Sequence, residues 1–241
     1  PEFSDCRFYH AMDLPGVGTI DGVWDLRGRF EDYIGHIDLA GRRVLDVGAA
    51  SGFISFAAEA AGAAVTSFDG ADGRRFELIP HAAVRANAVA TAQNFADILE
   101  RTKNAYWFAH ARLKSRCRAF YGDIYDLSPD IGDHDVALVG QILVHLKHPL
   151  TAIEQIAARC KETLVITEGM TDDANPTAMF LGDPDRPEQM RAWWHLSVPF
   201  FTRYLGILGF SLVSQRRDFY RCRADGYPPE LALTTLVFRR R

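Results

Sequence analysis

The stretch Val44 to Phe53, VLDVGAASGF, constrains the fold more than any other part of the chain. Its β-branched run reads as a buried strand, and the glycine- and alanine-rich turn behind it opens onto an Ala-rich helical pattern. The run carries a carboxylate, Asp46, two residues before the turn. Strand, tight turn and helix in immediate succession form the opening unit of a layered α/β sheet.

The alternation continues along the chain. Residues 42–48 read as a first strand and 51–62 as a first helix closed by Gly62. Strands follow at 63–69, 117–123, 134–140 and 162–169, with helices at 84–113 and 149–160. Leu150, Ile153 and Ile156 line one face of the latter helix. This order predicts an α/β, Rossmann-like doubly wound architecture, a mostly parallel sheet with helices on both faces. Ligands in such sheets bind beyond the carboxyl ends of the strands. That rule selects the loops after Val47, Phe68, Tyr121, Val139 and Thr167.

Past Gly169 the pattern changes. Residues 170–187 read as a long loop rich in Pro, Asp and Gly, and 188–209 as an aromatic helix broken at Pro199; two strands then close the chain. Loops this long in a compact domain usually carry function, so 170–209 is expected to be a substrate-side insertion. Upstream, Asp21 is a cap for a helix that carries Trp24, Phe30, Tyr33 and Ile34 toward the sheet. Residues 4–40 therefore read as a lid or docking segment ahead of a main domain over 41–241. Residues 1–3, Pro-Glu-Phe, read as a cloning remnant and are set aside.

Composition removes several classes. The chain has 241 residues, the size of one globular domain, with 48% hydrophobic and 24% charged residues. A formal net charge of −4 argues against nucleic acid as a partner, because phosphate binding normally shows a basic surface. The cysteines Cys6, Cys117, Cys160 and Cys222 form no CxxC pair, which speaks against zinc and against a disulfide framework. They read as reduced cytoplasmic thiols. No apolar run reaches the roughly 18 residues of a membrane span, and no signal peptide opens the chain. A cytoplasmic protein without a membrane partner is expected.

Asp46 bears on the choice of cofactor. A dinucleotide places its pyrophosphate at the helix N-terminus, where backbone N–H groups favour anions. A carboxylate a few ångström away opposes that charge by an amount on the order of kcal/mol. The turn also lacks G-x-G-x-x-G, reading Gly48-Ala49-Ala50-Ser51-Gly52. S-adenosylmethionine instead brings cationic charge that Asp46 tolerates, with its amino-acid end directed at the N–H groups of the turn. Asp69, at the end of the second strand, can accept from two ribose hydroxyls, and Asp123, after the third, from an adenine amino group while Ile124 packs on the ring. Each acid alone is ordinary turn chemistry; all three at successive strand ends are a pattern.

On these residues the chain resembles the class I S-adenosylmethionine-dependent methyltransferases over about residues 40–169, with the closing strands compatible. VLDVGAASGF corresponds to the family's D-x-G-x-G-x-G loop, with Ala50 at the middle glycine. The resemblance implies a seven-stranded sheet whose last strand is antiparallel. It places Asp46, Gly48, Ala49, Gly52 and Phe53 at the methionine end, Asp69 and Gly70 at the ribose, Asp123 and Ile124 at the adenine, and Gln141 and Ile142 beside the cofactor. S-adenosyl-L-homocysteine is then the product. GQILVHLKHPL and the aromatic C-terminal stretch are also similar to the tRNA wobble-uridine carboxymethyltransferases.

An oxygen acceptor requires a base. His145, in LVHLKH, is the first candidate because imidazole titrates near neutral pH, although a packing histidine has the same look. Glu168 and His195 follow, and His148, before Pro149, reads as a turn residue. Asp172, Asp173, Asn175 and Asp135 raise the possibility of magnesium, but Asp/Asn/Pro clusters are usually turns, so no metal is expected. Tyr106, Trp107, Trp193, Trp194, His195 and Tyr204 are candidates for an aromatic wall around a small, partly apolar acceptor. The expected activity is O-methylation of a small metabolite or natural product. Two rivals are a tRNA-modifying enzyme using Arg216, Arg217, Arg221, Arg223 and Arg239 to Arg241, and a non-catalytic cofactor-binding partner. The acceptor and the oligomeric state are left open.

Overall fold

Val44, Leu45 and Val47 are at most 1% exposed, as befits a strand covered by helices on both faces. In the computed structural model, which describes residues 1–224 and 228–241, they form β4 (Arg43–Val47) at the middle of the main sheet. The N-terminal segment before it holds β1 (Met12–Leu14), β2 (Gly18–Ile20), β3 (Trp24–Asp25) and one helical turn, α1 (Phe30–Tyr33). After β4 come α2 (Phe53–Ala60), β5 (Ala64–Gly70), α3 (Ala82–Ala86), α4 (Ala88–Leu113), β6 (Arg118–Gly122) and β7 (His134–Gly140). The remainder comprises α5 (Pro149–Arg159), β8 (Cys160–Glu168), β9 (Ala178–Phe180), β10 (Trp194–Leu196), α6 (Val198–Ile207), β11 (Phe210–Cys222) and β12 (Glu230–Arg240).

The main sheet runs β3-β11-β12-β8-β7-β4-β5-β6. Strands β6, β5, β4, β7 and β8 are parallel, and β12 lies antiparallel between β8 and β11. The seven expected strands and the antiparallel last one are present. An eighth, β3, is added at the edge by pairing Arg221 with Asp25 and Cys222 with Trp24. One face is covered by α2, α4 and the N-terminal segment through Ile54, Phe56, Tyr106, Phe108, Leu26 and Ile34. The other is covered by α5 and α6 through Ile153, Ile156, Phe201 and Leu205. The crossovers thus bring the loops after β4, β5, β6, β7 and β8 to one rim of the sheet.

Several expectations require correction. The helix from 84 to 113 is two helices: Asn87 leaves helical geometry at φ −116° and ψ 25°. Its Nδ2 donates to the Ala83 carbonyl at 3.0 Å, the local competition with the helix ladder typical of Asn. The aromatic helix over 188–209 is only α6. Trp194–Leu196 is instead a strand paired with Ala178–Phe180, so residues 170–196 include a small hairpin. Pro199 starts the helix rather than breaking it, sitting in the first turn, where no N–H is needed, behind the Ser197 cap on Phe200 N. Asp21 caps nothing; it pairs with Arg223, and Trp24 is in a strand. Phe3, set aside with the first residues, packs 5.7 Å from the Phe108 ring.

The N-terminal segment is threaded closely against the body. A Cβ at Gly22 would lie 2.3 Å from the carbonyl carbon of His10, backbone against backbone. Gly22→Ala is expected to cost about 1–3 kcal/mol through overpacking. For a chain of this size, that lowers the melting temperature by roughly 2–10 °C, read by circular dichroism. An unchanged melting temperature would mean that this segment contributes little to the stability of the whole.

Candidate active site

The turn after β4 has three residues in left-handed geometry: Gly48 at φ 81°, Ala50 at φ 48° and Gly52 at φ 91°. Only at Ala50 does a side chain bear the strain, of order 1–2 kcal/mol. The turn answers its own backbone. Gly48 N and Ala49 N donate to the Phe68 carbonyl at 2.9 and 3.1 Å, and Gly52 N donates to the Ala49 carbonyl at 2.8 Å. Ala50 N donates to Asp69 Oδ2 at 2.7 Å, while Gly70 N donates to Oδ1 at 2.6 Å. Donors that a pyrophosphate or an amino-acid carboxylate would use are already engaged. The expectation that these N–H groups receive the cofactor's amino-acid end therefore finds no free donor at Gly48, Ala49, Ala50 or Gly52.

Asp46 faces inward, below the turn. Ser55 donates to its Oδ2 at 2.5 Å, and the chain continues from Ser55 to Ser67 at 2.7 Å and from Ser67 to Tyr106 at 2.8 Å. Each hydroxyl has a single proton, so with Ser55 donating to Asp46, Ser67 must donate to Ser55 and Tyr106 to Ser67. Burial, with the nearby charge of Asp69 adding to it, pushes the Asp46 carboxyl up to about 7. Burial likewise raises Asp69, partly offset by the Gly70 and Ala50 N–H groups. Tyr106 thus belongs to a buried relay, and it also lines the small cleft beyond the turn. Beyond the turn, a small cleft of about 160 Å³ is lined by Ala49, Ala50, Phe68, Asp69, Phe120 and Tyr121.

At the ends of β7 and β8 the rim is polar and buried. Glu168 is 2% exposed. Its Oε1 accepts from Leu143 N at 2.8 Å, and among the described residues its Oε2 meets no partner. Burial raises its carboxyl to about 8, so it is protonated at neutral pH. Gln141, in left-handed geometry at φ 52°, also has a buried, unpartnered Nε2. Ile142 packs on Gly48, where a Cβ would come within 3.3 Å of its own Cβ. His195 comes as close to Gly169, its Nε2 3.3 Å from where a Cβ would be, and burial lowers its pKa.

His145 ends a short helical turn after β7, with Nδ1 2.8 Å from the Arg191 carbonyl. That contact fixes Nδ1 as the protonated nitrogen and leaves Nε2 as an acceptor. Burial lowers the pKa of the ring, which keeps it neutral at physiological pH.

Other sequence candidates fall outside this group. Asp123 closes a turn by accepting from Tyr125 N at 2.9 Å, and Ile124 packs into the α5–α6 core. Trp193 Nε1 donates to the Glu77 carbonyl at 2.9 Å, and Trp194 Nε1 to that of Lys147 at 3.2 Å; both hold loops together. Trp107 is 39% exposed beside His110. Tyr204 donates to Glu154 on α5, away from the rim. Among the described residues, no group of three His, Cys, Asp or Glu is placed to hold a metal ion. Asp172 pairs with Arg217, and Asp135 with Arg43 at the opposite rim.

Some residues the sequence did not single out do reach the site. Ser51 Oγ accepts from Tyr9 N at 3.1 Å and His10 N at 3.0 Å, docking the N-terminal segment on the turn. Phe53, the first residue of α2 and one that the resemblance did place at the methionine end, lies 6.0 Å from the His10 ring. Tyr33 Oη comes within 2.2 Å of where a Cβ on Gly140 would sit. Phe76 and Phe95 stack at 4.9 Å along an open groove of about 520 Å³ that also includes Leu78, Val84 and Ala88. No short-range sequence signal links these positions; chain crossings bring them together.

No family model and no curated protein matches the chain. Solved structures do. Magnesium protoporphyrin IX methyltransferase from Synechocystis PCC 6803, with S-adenosylhomocysteine bound, is 17% identical over 90% of this chain and 82% of its own, at a TM-score of 0.52. The 1,6-didemethyltoxoflavin-N1-methyltransferase of Burkholderia thailandensis, with its substrate and S-adenosylhomocysteine bound, is 16% identical over 88% and 75%, at 0.50. A Pyrococcus horikoshii protein provisionally named an RNA methyltransferase is 12% identical over 87% and 79%, at 0.53. The fold is that of the class I S-adenosylmethionine-dependent methyltransferases.

The raised acids give a pH signature in the protein without ligand. Between about pH 6.5 and 8 the folded chain holds the Glu168 proton, and part of the Asp46 proton, that the unfolded chain has released. Stability therefore falls as pH rises through this window, by about 1.4 kcal/mol per pH unit per proton. Below about 6.5 the buried histidines act in the opposite direction: His10, lowered to about 3, binds its proton only on unfolding. The melting temperature should drop from pH 6.5 to 8, and Glu168→Gln should flatten most of that drop. A wild-type curve that rises with pH would contradict the burial argument.

Proposed function

We propose that this chain is an S-adenosylmethionine-dependent methyltransferase that methylates an oxygen of a small-molecule acceptor. One observation supports it above the others: the turn after β4 has four of its N–H groups, those of Gly48, Ala49, Ala50 and Gly52, already engaged, and it is flanked by the buried acids Asp46 and Asp69. Such a site repels a pyrophosphate and tolerates a cation. The donor set suits the adenosyl cofactor, with Asp69 and Gly70 at the ribose, Ile142 against the adenine, and Gln141 near the reacting end. When bound, the cofactor supplies an electrophilic methyl group on sulfur.

His145 is assigned as the base. Its Nε2 takes the acceptor's hydroxyl proton, while the Arg191 carbonyl holds the Nδ1–H and steadies the imidazolium that forms. Glu168 is already protonated at neutral pH and is a poor proton acceptor there. The open groove beside Phe76 and Phe95 is lined mostly by apolar side chains, as small-molecule sites are. Phe76 lies 6.0 Å from the His145 ring, which ties that groove to the base. A nucleic-acid acceptor is disfavoured by the fate of the basic cluster. Arg216 pairs with Asp32 and Asp218, Arg217 with Asp172, and Arg223 with Asp21.

Calorimetry with S-adenosylhomocysteine and with NADH tests the cofactor; uptake of the first and not the second is expected. For the base, His145→Ala should reduce turnover of any accepted hydroxyl substrate at least about a hundredfold while leaving S-adenosylhomocysteine affinity unchanged. Turnover near the wild-type rate would remove His145 from that role.

A further inference from the structure

Residues 76–79 follow β5 but are tied to neither β5 nor its neighbouring helix alone. The Glu77 carboxylate accepts from the Tyr125 hydroxyl and from Lys147 N, the latter at 2.7 Å. Its backbone carbonyl accepts from Trp193 Nε1 at 2.9 Å, and Ile79 N donates to the Met190 carbonyl at 2.8 Å. His148 N in turn donates to Tyr125 Oη at 3.2 Å.

The topology gives these contacts their meaning. Tyr125 lies in the loop after β6, and Lys147 in the loop after β7. In the sheet those strands stand three positions apart, with β4 and β5 between them, a span of about 14 Å at ordinary strand spacing. One carboxylate bonded to both loops therefore draws them together across the rim at the ends of β4 and β5. The small cleft at Ala49, Ala50 and Asp69 is too narrow for a nucleoside cofactor as it stands, well short of the roughly 300–1,000 Å³ of a ligand pocket. A nucleoside cofactor enters only when this segment lifts.

We infer that residues 76–79 form a strap over the cofactor cleft and that Glu77 is its clasp, setting how fast the adenosyl cofactor enters and leaves. The inference rests on the cofactor reading above. The root of the strap is fixed: a Cβ on Gly73 would lie 2.1 Å from the Phe95 carbonyl oxygen, and Phe76 stacks on Phe95 at an interplanar angle of 16°. The far end is held chiefly by hydrogen bonds, since Phe76 is 39% exposed and Ile79 is its buried apolar anchor. Burial and the contact with Glu77 raise the Tyr125 hydroxyl well above its ordinary pKa, so it remains a donor throughout the neutral range. The strap also sets Phe76 beside His145, so closure over the cofactor and completion of the acceptor side are one movement. Glu77 acts here as a positioning residue.

The test is stopped-flow binding of S-adenosylhomocysteine, followed by tryptophan fluorescence with Trp193 as the reporter on the strap. Tyr125→Phe and Glu77→Ala should each accelerate association and dissociation by about tenfold or more, the factor one lost charge-assisted hydrogen bond is worth. The equilibrium constant should change far less than either rate. Glu77→Gln, which keeps an acceptor for Lys147 N, should fall between them and the wild type. Without ligand, the Ile79 amide should exchange hydrogen faster in the two disrupting variants. Wild-type rates in both, or faster dissociation with unchanged association, would overturn the gate; the latter is the mark of a direct contact. A wild-type protein that takes up no S-adenosylhomocysteine overturns the cofactor reading and the gate together.

Discussion

The structure is organised by how the turn from Gly48 to Gly52 satisfies its own backbone. A strand that ends at a helix N-terminus normally leaves N–H groups open to an anion. Here Phe68 supplies one carbonyl for two of them, and Asp69 reaches across from β5 to take a third. The consequence is structural as well as chemical. Ala50 is held in left-handed geometry because its N–H has a carboxylate to meet, and β4 and β5 are tied together at the rim where a ligand must bind. A turn closed in this way keeps the shape of a nucleotide-binding loop while lacking its affinity for phosphate.

The same closure explains the buried acids. Among the described residues, Asp46 accepts from Ser55 alone, at the head of a relay through Ser67 to Tyr106 that joins a strand to both helices on that face. A charge in that position has only hydroxyl dipoles around it, and its proton affinity rises accordingly. Sequence placed Asp46 at the end of the strand, where the structure has it. It could not give the direction of the side chain, because the partners Ser67 and Tyr106 come from elements far along the chain.

That difference describes how much was legible. The parallel strands β4 to β8 and the rim that holds the site follow from periodicity and strand–helix alternation, both local signals; the antiparallel β12 came only from the family resemblance. His145 and Glu168 stood in the expected loops for the same reason. Elements whose conformation depends on distant partners were misread. Trp194–Leu196 has the aromatic content of a helix face, but it pairs with Ala178–Phe180, and that register is invisible to a local pattern. The aromatic wall failed likewise: Trp193 and Trp194 spend their indole N–H groups on loop carbonyls, and Tyr204 bridges two surface helices. Phe76 and Phe95, which do line a groove, lie on opposite sides of a helix break.

The two candidate bases separate on electrostatics alone. Both lie at the rim, and both have pKa values displaced by burial, but burial disfavours whichever form is charged. For the imidazole of His145 that means a neutral ring with a free lone pair, the state a base must begin in. For the carboxyl of Glu168 it means a retained proton, which makes it a hydrogen-bond donor to whatever fills the space before its unpartnered Oε2. One desolvating environment thus favours opposite protonation states in the two residues: a neutral imidazole at His145 and a protonated carboxyl at Glu168, with the strained Gln141 at the same rim.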